Sequence, residues 1–267
     1  MTSLPIVQVD AFADAPFTGN PAAVMALDRW LDDDVLQAIA AENNLSETAF
    51  TVPAPDDPDA DYALRWFTPA VEVKLCGHAT LASGHVLMAR ANDGIRFRTR
   101  HAGILTVSRA GEGYALSLPA WTMEPRPLPE LAAGLGAPPL ESHWRDGGYS
   151  LFLFPDAAAV RALSPDFARL KALGDIMLIT TAPGGGEDGD SDIVSRVFVP
   201  GAGIDEDPVT GSAHCLLAPF WADRLGRNRL TAFQASARGG RIGCALEGDR
   251  VILTGACRTV MEGRFFI

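Results

Sequence analysis

Apolar and polar residues alternate from Pro5 to Phe12 (PIVQVDAF), the period-two pattern of a strand with one face buried. Phe17 to Pro21 (FTGNP) reads as a turn, followed by a short apolar segment from Ala22 to Leu27. From Asp32 to Asn43 the period changes. Val35, Leu36, Ile39 and Ala40 share one helical face, and acidic residues at the start suit the positive end of a helix dipole. Ser46 to Pro53 and Asp61 to Thr68 return to strand character across a Pro/Asp-rich loop. The small and apolar run from His78 to Ala91, entered through Gly77, predicts a buried helix. Gly94 to Ser108 and Gly113 to Leu118 read as strands around an Ala110-Gly111 turn.

Proline then dominates from Pro119 to Pro139. EPRPLP (Glu124 to Pro129) is expected to carry no regular ladder or helix, because proline lacks a donor and restricts the residue before it. A domain boundary is placed here, giving lobes of residues 1–118 and 119–267, the final strand being free to pack back on the first lobe. The second series runs strand Tyr149 to Phe154, helices Pro155 to Leu163 and Pro165 to Leu173, and strand Asp175 to Thr181. A Gly-rich acidic loop follows, Pro183 to Asp192, then strand Ile193 to Val199, helix Ser212 to Leu225 and the terminal strands.

The two halves share a motif. Arg65-Trp66-Phe67-Thr68-Pro69 is followed eight residues later by Gly77 at a helix start; Arg196-Val197-Phe198-Val199-Pro200 is followed eleven residues later by Gly211 at another. Both read R-x-F-x-P, polar loop, glycine, small-residue helix, which points to an internal duplication. Symmetry between halves would set the two helix N-termini facing across one cleft. Each such end carries unpaired amides and about half a positive charge, so a carboxylate, or an enolate forming beside one, would be held there.

Composition narrows the field. The 267 residues carry a formal charge of −11. Such a surface repels phosphate backbones and argues against nucleic acid as a partner. About half the residues are hydrophobic, ample for a core. Cys76, Cys215, Cys244 and Cys257 are scattered without a C-x-x-C pair, so neither a zinc ribbon nor a disulfide framework is expected. No basic region leads into an apolar core at the N-terminus, and no apolar run nears the roughly 20 residues that span a bilayer; the expectation is a cytoplasmic protein without membrane partners. Pro183 to Asp188 lacks the lysine and frame of a phosphate loop, G-x-G-x-x-G and G-x-S-x-G are missing, and no histidine pair has ligand spacing on one helix. Nucleotide, serine-hydrolase and metal sites are not expected.

The candidate chemistry clusters at the helix entrances. Glu47, at a strand edge beside Leu45, Ala49 and Phe50, is expected to be partly buried and suited to acid–base exchange. In Cys76-Gly77-His78 the helix end should make the thiol more acidic and favour a neutral imidazole. At the second entrance Asp205, Glu206 and Asp207 bunch before Thr210-Gly211-Ser212, where Asp207 or Ser212 could serve simply as a helix cap. His214 and Cys215 follow inside the helix, Cys215 as a packing residue.

These residues resemble a known family. Val9 to Phe12 with Phe17 to Ala22, Asn44 to Phe50, Arg65 to Pro69 with Cys76 to Thr80, and Asp207 to Ala213 are similar, in order, to the motifs of the phenazine-biosynthesis-like (PhzF-like) family. The resemblance implies an α+β, diaminopimelate-epimerase-like fold: two pseudo-symmetric lobes, each a curled mixed sheet around a central helix. It further implies a homodimer, no cofactor, and a small anionic metabolite as substrate. Carried over, Glu47 is the acid–base carboxylate, Asp207 and His78 stand with it as catalytic residues, and Cys76, Gly77, Thr210, Gly211 and Ser212 bind substrate. The implied activity is an isomerase that shifts a double bond by proton transfer. Related epimerases use two cysteines, one at each entrance; here Thr210 takes the second place, so two-thiol racemisation lacks a base on one face. Epimerisation using Cys76 on one face, and a non-catalytic small-molecule-binding protein, remain the alternatives.

Overall fold

The computed structural model describes residues 2–88, 93–185 and 191–267. The chain divides into two compact units, residues 1–118 with 252–267, and residues 119–251.

In the first unit β1 (Ser3–Ala11) pairs antiparallel with β2 (Asn20–Ala26). The turn between them requires Gly19: its φ is +67°, and a Cβ there would lie 2.2 Å from the carbonyl oxygen of Ala11. Helix α1 (Asp33–Asn43) crosses to β3 (Glu47–Pro53), which runs parallel to β2. Its apolar face, Leu36, Ile39 and Ala40, packs on Met25, Phe50 and Phe67. β4 (Tyr62–Phe67) lies antiparallel to β3, and the two-residue β5 (Glu72–Val73) pairs with β4. Helix α2 (Gly77–Met88) follows, then β6 (Gly94–Thr99), parallel to β4, with β7 (Ile104–Ala110) and β8 (Gly113–Pro119) as hairpin partners. The stretch expected as one strand from Gly94 to Ser108 is thus two, reversed at a turn where Gly103 adopts φ +68°.

Helix α2 contacts β1, β2, β3, β6 and β7, so the sheet curls around it. That explains its composition. A Cβ at Gly84 would sit 2.4 Å from Cγ1 of Val107, so only glycine lets helix and strand approach this closely. The expected end of this helix, Ala91, lies outside the described residues.

The second unit repeats this plan. EPRPLP is more regular than its prolines suggested: β9 (Glu124–Pro125) makes two ladder positions and α3 (Pro129–Ala133) places Pro129 at its first turn, where a missing amide costs nothing. β10 (Glu141–Arg145) and β11 (Tyr149–Leu153) form a hairpin. The short helices α4 (Ala157–Arg161) and α5 (Phe167–Ala172) are capped by Asp156 and Asp166 and lead to β12 (Met177–Pro183), parallel to β11. β13 (Ile193–Val199) lies antiparallel to β12, and β14 (Ile204–Asp207) pairs with β13. Helix α6 (Gly211–Leu225) follows, then β15 (Arg229–Gln234), which lies parallel to β13, and then β16 (Gly240–Glu247); β17 (Arg250–Gly255) begins in this unit and continues into the first. Most of the Gly-rich loop after Pro183 lies outside the described residues. β18 (Cys257–Phe266) returns to the first unit, antiparallel to β1.

Hairpin, parallel crossover, antiparallel strand, short fifth strand, helix, parallel strand: both units follow this order. The duplication extends to side chains. Arg65 forks onto Glu72 with two bonds of 2.8 Å and stacks 4.9 Å over the Phe67 ring; Arg196 forks onto Glu206 at 2.8 and 2.9 Å and stacks 4.9 Å over Phe198. The R-x-F-x-P motif is therefore a clasp, locking β4 to β5 and β13 to β14.

Candidate active site

The decisive geometry is in the first unit. Glu47 opens β3 with its side chain 14% exposed, and Cys76 and His78 stand at the mouth of α2, both buried. His78 Nε2 lies 3.1 Å from Glu47 Oε2. The alignment is poor for a hydrogen bond, so this is a close charge contact in which both atoms are otherwise buried. On the ring's other side Nδ1 meets Asn20 Nδ2 at 3.1 Å and Cys76 Sγ at 3.5 Å. Asn20, the first residue of β2 and fully buried, is part of this cluster although the sequence placed it only in a turn.

Two expectations about protonation are reversed here. Burial, and secondarily the negative field of Glu47, pushes the Cys76 thiol up to about 11, outweighing the helix end that was expected to acidify it. For His78 burial opposes the charged ring, but Cys76 and Glu47 together outweigh it, and the imidazole holds its proton well above the ordinary histidine range. The helix end favours a neutral ring, yet the carboxylate is in contact and the dipole is not.

Ligand atoms of Glu47, Cys76 and His78 fall within 4.8 Å of one another, a spacing a metal ion could use. A divalent ion would have to displace protons from both thiol and ring, and this cluster holds both protons more tightly than usual.

In the second unit the equivalent helix mouth is differently furnished. Thr210 is the N-cap residue of α6, without a capping bond from its side chain; Asp207 stands three residues before it and Ser212 lies inside the first turn. The Thr210 hydroxyl instead donates to Asp207 Oδ2 at 2.5 Å. Gln234 ties the corner together: its Oε1 accepts from the Thr210 amide at 2.8 Å, and its Nε2 donates to the Asp207 carbonyl at 2.7 Å. This fully buried glutamine was not singled out in the sequence, where an amide at a strand end looks like surface. The three acids do not bunch: Glu206 is the clasp partner of Arg196, Asp205 is exposed, and Asp207 turns to Thr210. Gly211 is buried and Ser212 half-buried at the start of α6.

Corresponding positions show what the halves share. Thr80 donates to the carbonyl of Cys76 at 2.5 Å, and His214 Nδ1 donates to the carbonyl of Thr210 at 2.8 Å, each reaching back to the residue before the helix glycine. Cys76 thus corresponds to Thr210, His78 to Ser212 and Thr80 to His214. In the strand registers Glu47 opposes Ala22 and Met177 opposes Tyr149, each beginning the strand after the crossover. The carboxylate exists in the first half only.

Comparison with known proteins agrees with this arrangement. The family described as phenazine biosynthesis-like protein matches residues 9–263. The chain belongs to the PhzF-like family. An uncharacterized isomerase of Pseudomonas aeruginosa is 51% identical over 264 residues, 97% of this chain and 98% of that one. A crystal structure of a PhzF-family protein from Enterococcus faecalis is 43% identical, with a TM-score of 0.90 over 100% of both chains. A predicted epimerase of Pseudomonas aeruginosa, 23% identical, matches at a TM-score of 0.75 over 99% of both chains, a likeness of fold alone. The PhzF-like chain accordingly has the diaminopimelate-epimerase-like α+β fold, each lobe a curled mixed sheet around a central helix, and is an isomerase of that family. Among the described residues no helix is long and apolar enough to cross a membrane.

Proposed function

We propose that this isomerase shifts a double bond in a small carboxylate-bearing metabolite by moving a proton between two carbons, with Glu47 as the acid–base group. The supporting observation is the 3.1 Å contact between Glu47 Oε2 and His78 Nε2. A carboxylate steadied at one oxygen by its charge contact with a buried, protonated ring keeps its other oxygen for substrate. Glu47 removes a proton from carbon beside the conjugated group. The C–H electron pair enters the conjugated system, where its charge is stabilised by donors at a helix mouth. The same proton returns from Glu47 to another carbon, so product and substrate are isomers and no oxidant or reductant is consumed. Asp207, Thr210, Gly211 and Ser212 are assigned to substrate recognition, with Asp207 accepting the Thr210 hydroxyl proton. The reaction needs no metal or organic cofactor, and Cys76 stays a neutral neighbour because its thiol is buried beside a carboxylate.

The test incubates the protein with the small-molecule fraction of a cell extract in deuterated water and follows mass shifts. Native protein should place solvent deuterium in at least one acidic metabolite, Glu47→Gln should not, and Cys76→Ser and chelator-treated native protein should retain the exchange. Undiminished exchange in Glu47→Gln removes that carboxylate from the chemistry, and loss in Cys76→Ser alone moves the reading to an epimerase using the thiol.

A further inference from the structure

The corner before α6 is held by side chains whose hydrogen bonds can run in only one direction. The Thr210 amide can only donate, so the Gln234 atom it meets at 2.8 Å is the side-chain oxygen. The Asp207 carbonyl can only accept, so the Gln234 atom it meets at 2.7 Å is the nitrogen. Both ends give the same answer, and the orientation of the amide is fixed. That nitrogen carries a second hydrogen, and Thr210 Oγ1 lies 3.1 Å away. With its oxygen receiving from Gln234, the hydroxyl sends its own hydrogen to Asp207 Oδ2 at 2.5 Å. The chain runs from Gln234 through Thr210 to Asp207. A protonated Asp207 donating back would leave the Thr210 hydrogen in need of a third acceptor.

The same bonds divert the helix cap. A threonine at an N-cap ordinarily turns its oxygen to an amide of the first turn, but the Thr210 side chain makes no such bond. The first-turn amides of α6, which have no partner within the helix, are therefore left uncovered by their own cap. Nor does the fold demand a glutamine here. In the parallel registers Gln234 lies against Ser195 and Thr99 against Leu64, the residues just before Arg196 and Arg65, so Thr99 is the equivalent position in the first unit. Thr99 is buried as well. Its hydroxyl donates to the Gly103 carbonyl and accepts from the Ala102 amide, both at 2.9 Å, and so closes its own hairpin turn. One strand end serves a turn, the other a helix mouth.

We infer that Gln234 is a positioning residue for the proposed proton transfer: acting through Thr210, it holds Asp207 as a hydrogen-bond acceptor and keeps the mouth of α6 uncapped for substrate. The role rests on the reading that assigns Asp207, Thr210, Gly211 and Ser212 to substrate recognition. Gln234 is fully buried and works from behind them. Two variants take its contacts apart. Gln234→Met keeps the length of the side chain and removes all three bonds. Gln234→Glu keeps the acceptor for the Thr210 amide. Protonated, it still donates one hydrogen bond; ionised, it donates none and sets a charge beside Asp207. Burial raises the pKa of such a carboxyl, which brings the change between the two forms towards neutral pH.

Proton NMR in water reads the direction of the chain without any substrate. Native protein should show a slowly exchanging, downfield Thr210 hydroxyl proton, assigned by its absence in Thr210→Val. Gln234→Met should lose this signal, and Gln234→Glu should show it at pH 5 and lose it by pH 8. Deuterium incorporation into the small-molecule fraction of a cell extract reads the role. Relative to native protein at the same pH, Gln234→Met should be slowed about tenfold, and T210V/Q234M no more than Thr210→Val alone. Gln234→Glu should be near native at pH 5 and slowed about tenfold at pH 8. Should Gln234→Met fold poorly by circular dichroism, the pH dependence of Gln234→Glu decides alone. A hydroxyl signal indifferent to position 234, or a Gln234→Glu variant without the pH-linked loss, would overturn the assignment. Native protein without Glu47-dependent exchange fails the proton-transfer reading and this role with it; exchange that needs Glu47 and ignores Gln234 fails this inference alone.

Discussion

Asn20 meets His78 through an amide, and an amide serves either protonation state of a ring. Its N–H can donate to Nδ1 of the neutral imidazole; turned over, its oxygen can accept from Nδ1–H of the imidazolium. Asn20 can thus stay bonded while His78 gains or loses its proton. A carboxylate there could not, since it only accepts. Asn20→Asp should raise the pKa of the His78 ring further, and Glu47→Gln should lower it by leaving burial less opposed. Histidine resonances followed by NMR against pH read both shifts; an unmoved titration in Asn20→Asp would show that this side chain does not reach the ring. These contacts also mark the limit of reading along the chain. Glu47, Cys76 and His78 were visible because each sits in a short motif. Their protonation was not, because it is decided by burial and by Glu47, 31 residues from His78, acting together with the neighbouring Cys76, and the helix-end argument includes neither burial nor the distant carboxylate. Gln234 was invisible for a like reason: its partners at Asp207 and Thr210 come from a different element.

At the scale of elements the Arg–Glu clasps carry the argument. Arg65 is 5% exposed and its partner Glu72 23%; Arg196 and Glu206 are 13% and 20% exposed. Removing Arg65 leaves Glu72 with only the more exposed Arg100, 2.9 Å away, and removing Arg196 takes from Glu206 its forked partner and from the carbonyls of Val160, Arg161 and Leu163 a donor. Arg65→Met and Arg196→Met should each destabilise by about 3 kcal/mol in urea unfolding, whereas R65M/E72L, which removes both charges, should recover most of that loss. A double variant as unstable as the single would assign the cost to the lost stacking on Phe67 instead. The motif showed that the two halves correspond but not what the arginine does, because β5 and β14 are two and four residues long and leave no alternation to read. β10 escaped for the same reason, while the longer helices α1, α2 and α6 followed from periodicity or small-residue content alone. Short strands exist only because a neighbour pairs with them.

For the molecule as a whole, duplication followed by divergence predicts opposite responses of the two halves to pH. Both central helices place a histidine near the mouth. His78 is raised by the company of Glu47 and Cys76 against the effect of burial; His214, with Nδ1 committed to Thr210 and Nε2 buried without a hydrogen-bond partner, is pushed down by burial to about 4. The unfolded value of each is about 6.5. A ring whose folded pKa is raised contributes stability fully below pH 6.5 and loses it as pH rises towards the folded pKa. For His214 the sign is opposite. Its cost is absent above pH 6.5 and grows as pH falls to about 4, because only the unfolded chain can take up the proton, reaching about 3 kcal/mol at completion. Differences in unfolding free energy between native protein and each variant, measured from pH 5 to 8.5, separate these from the carboxylates common to both. His214→Gln, whose amide can still donate to the Thr210 carbonyl, should flatten the acid limb and leave the alkaline limb alone; His78→Asn should do the reverse. If both variants flattened the same limb, the two helix mouths would not have diverged in proton affinity, and the assignment of proton chemistry to the Glu47 side alone would lose its electrostatic basis.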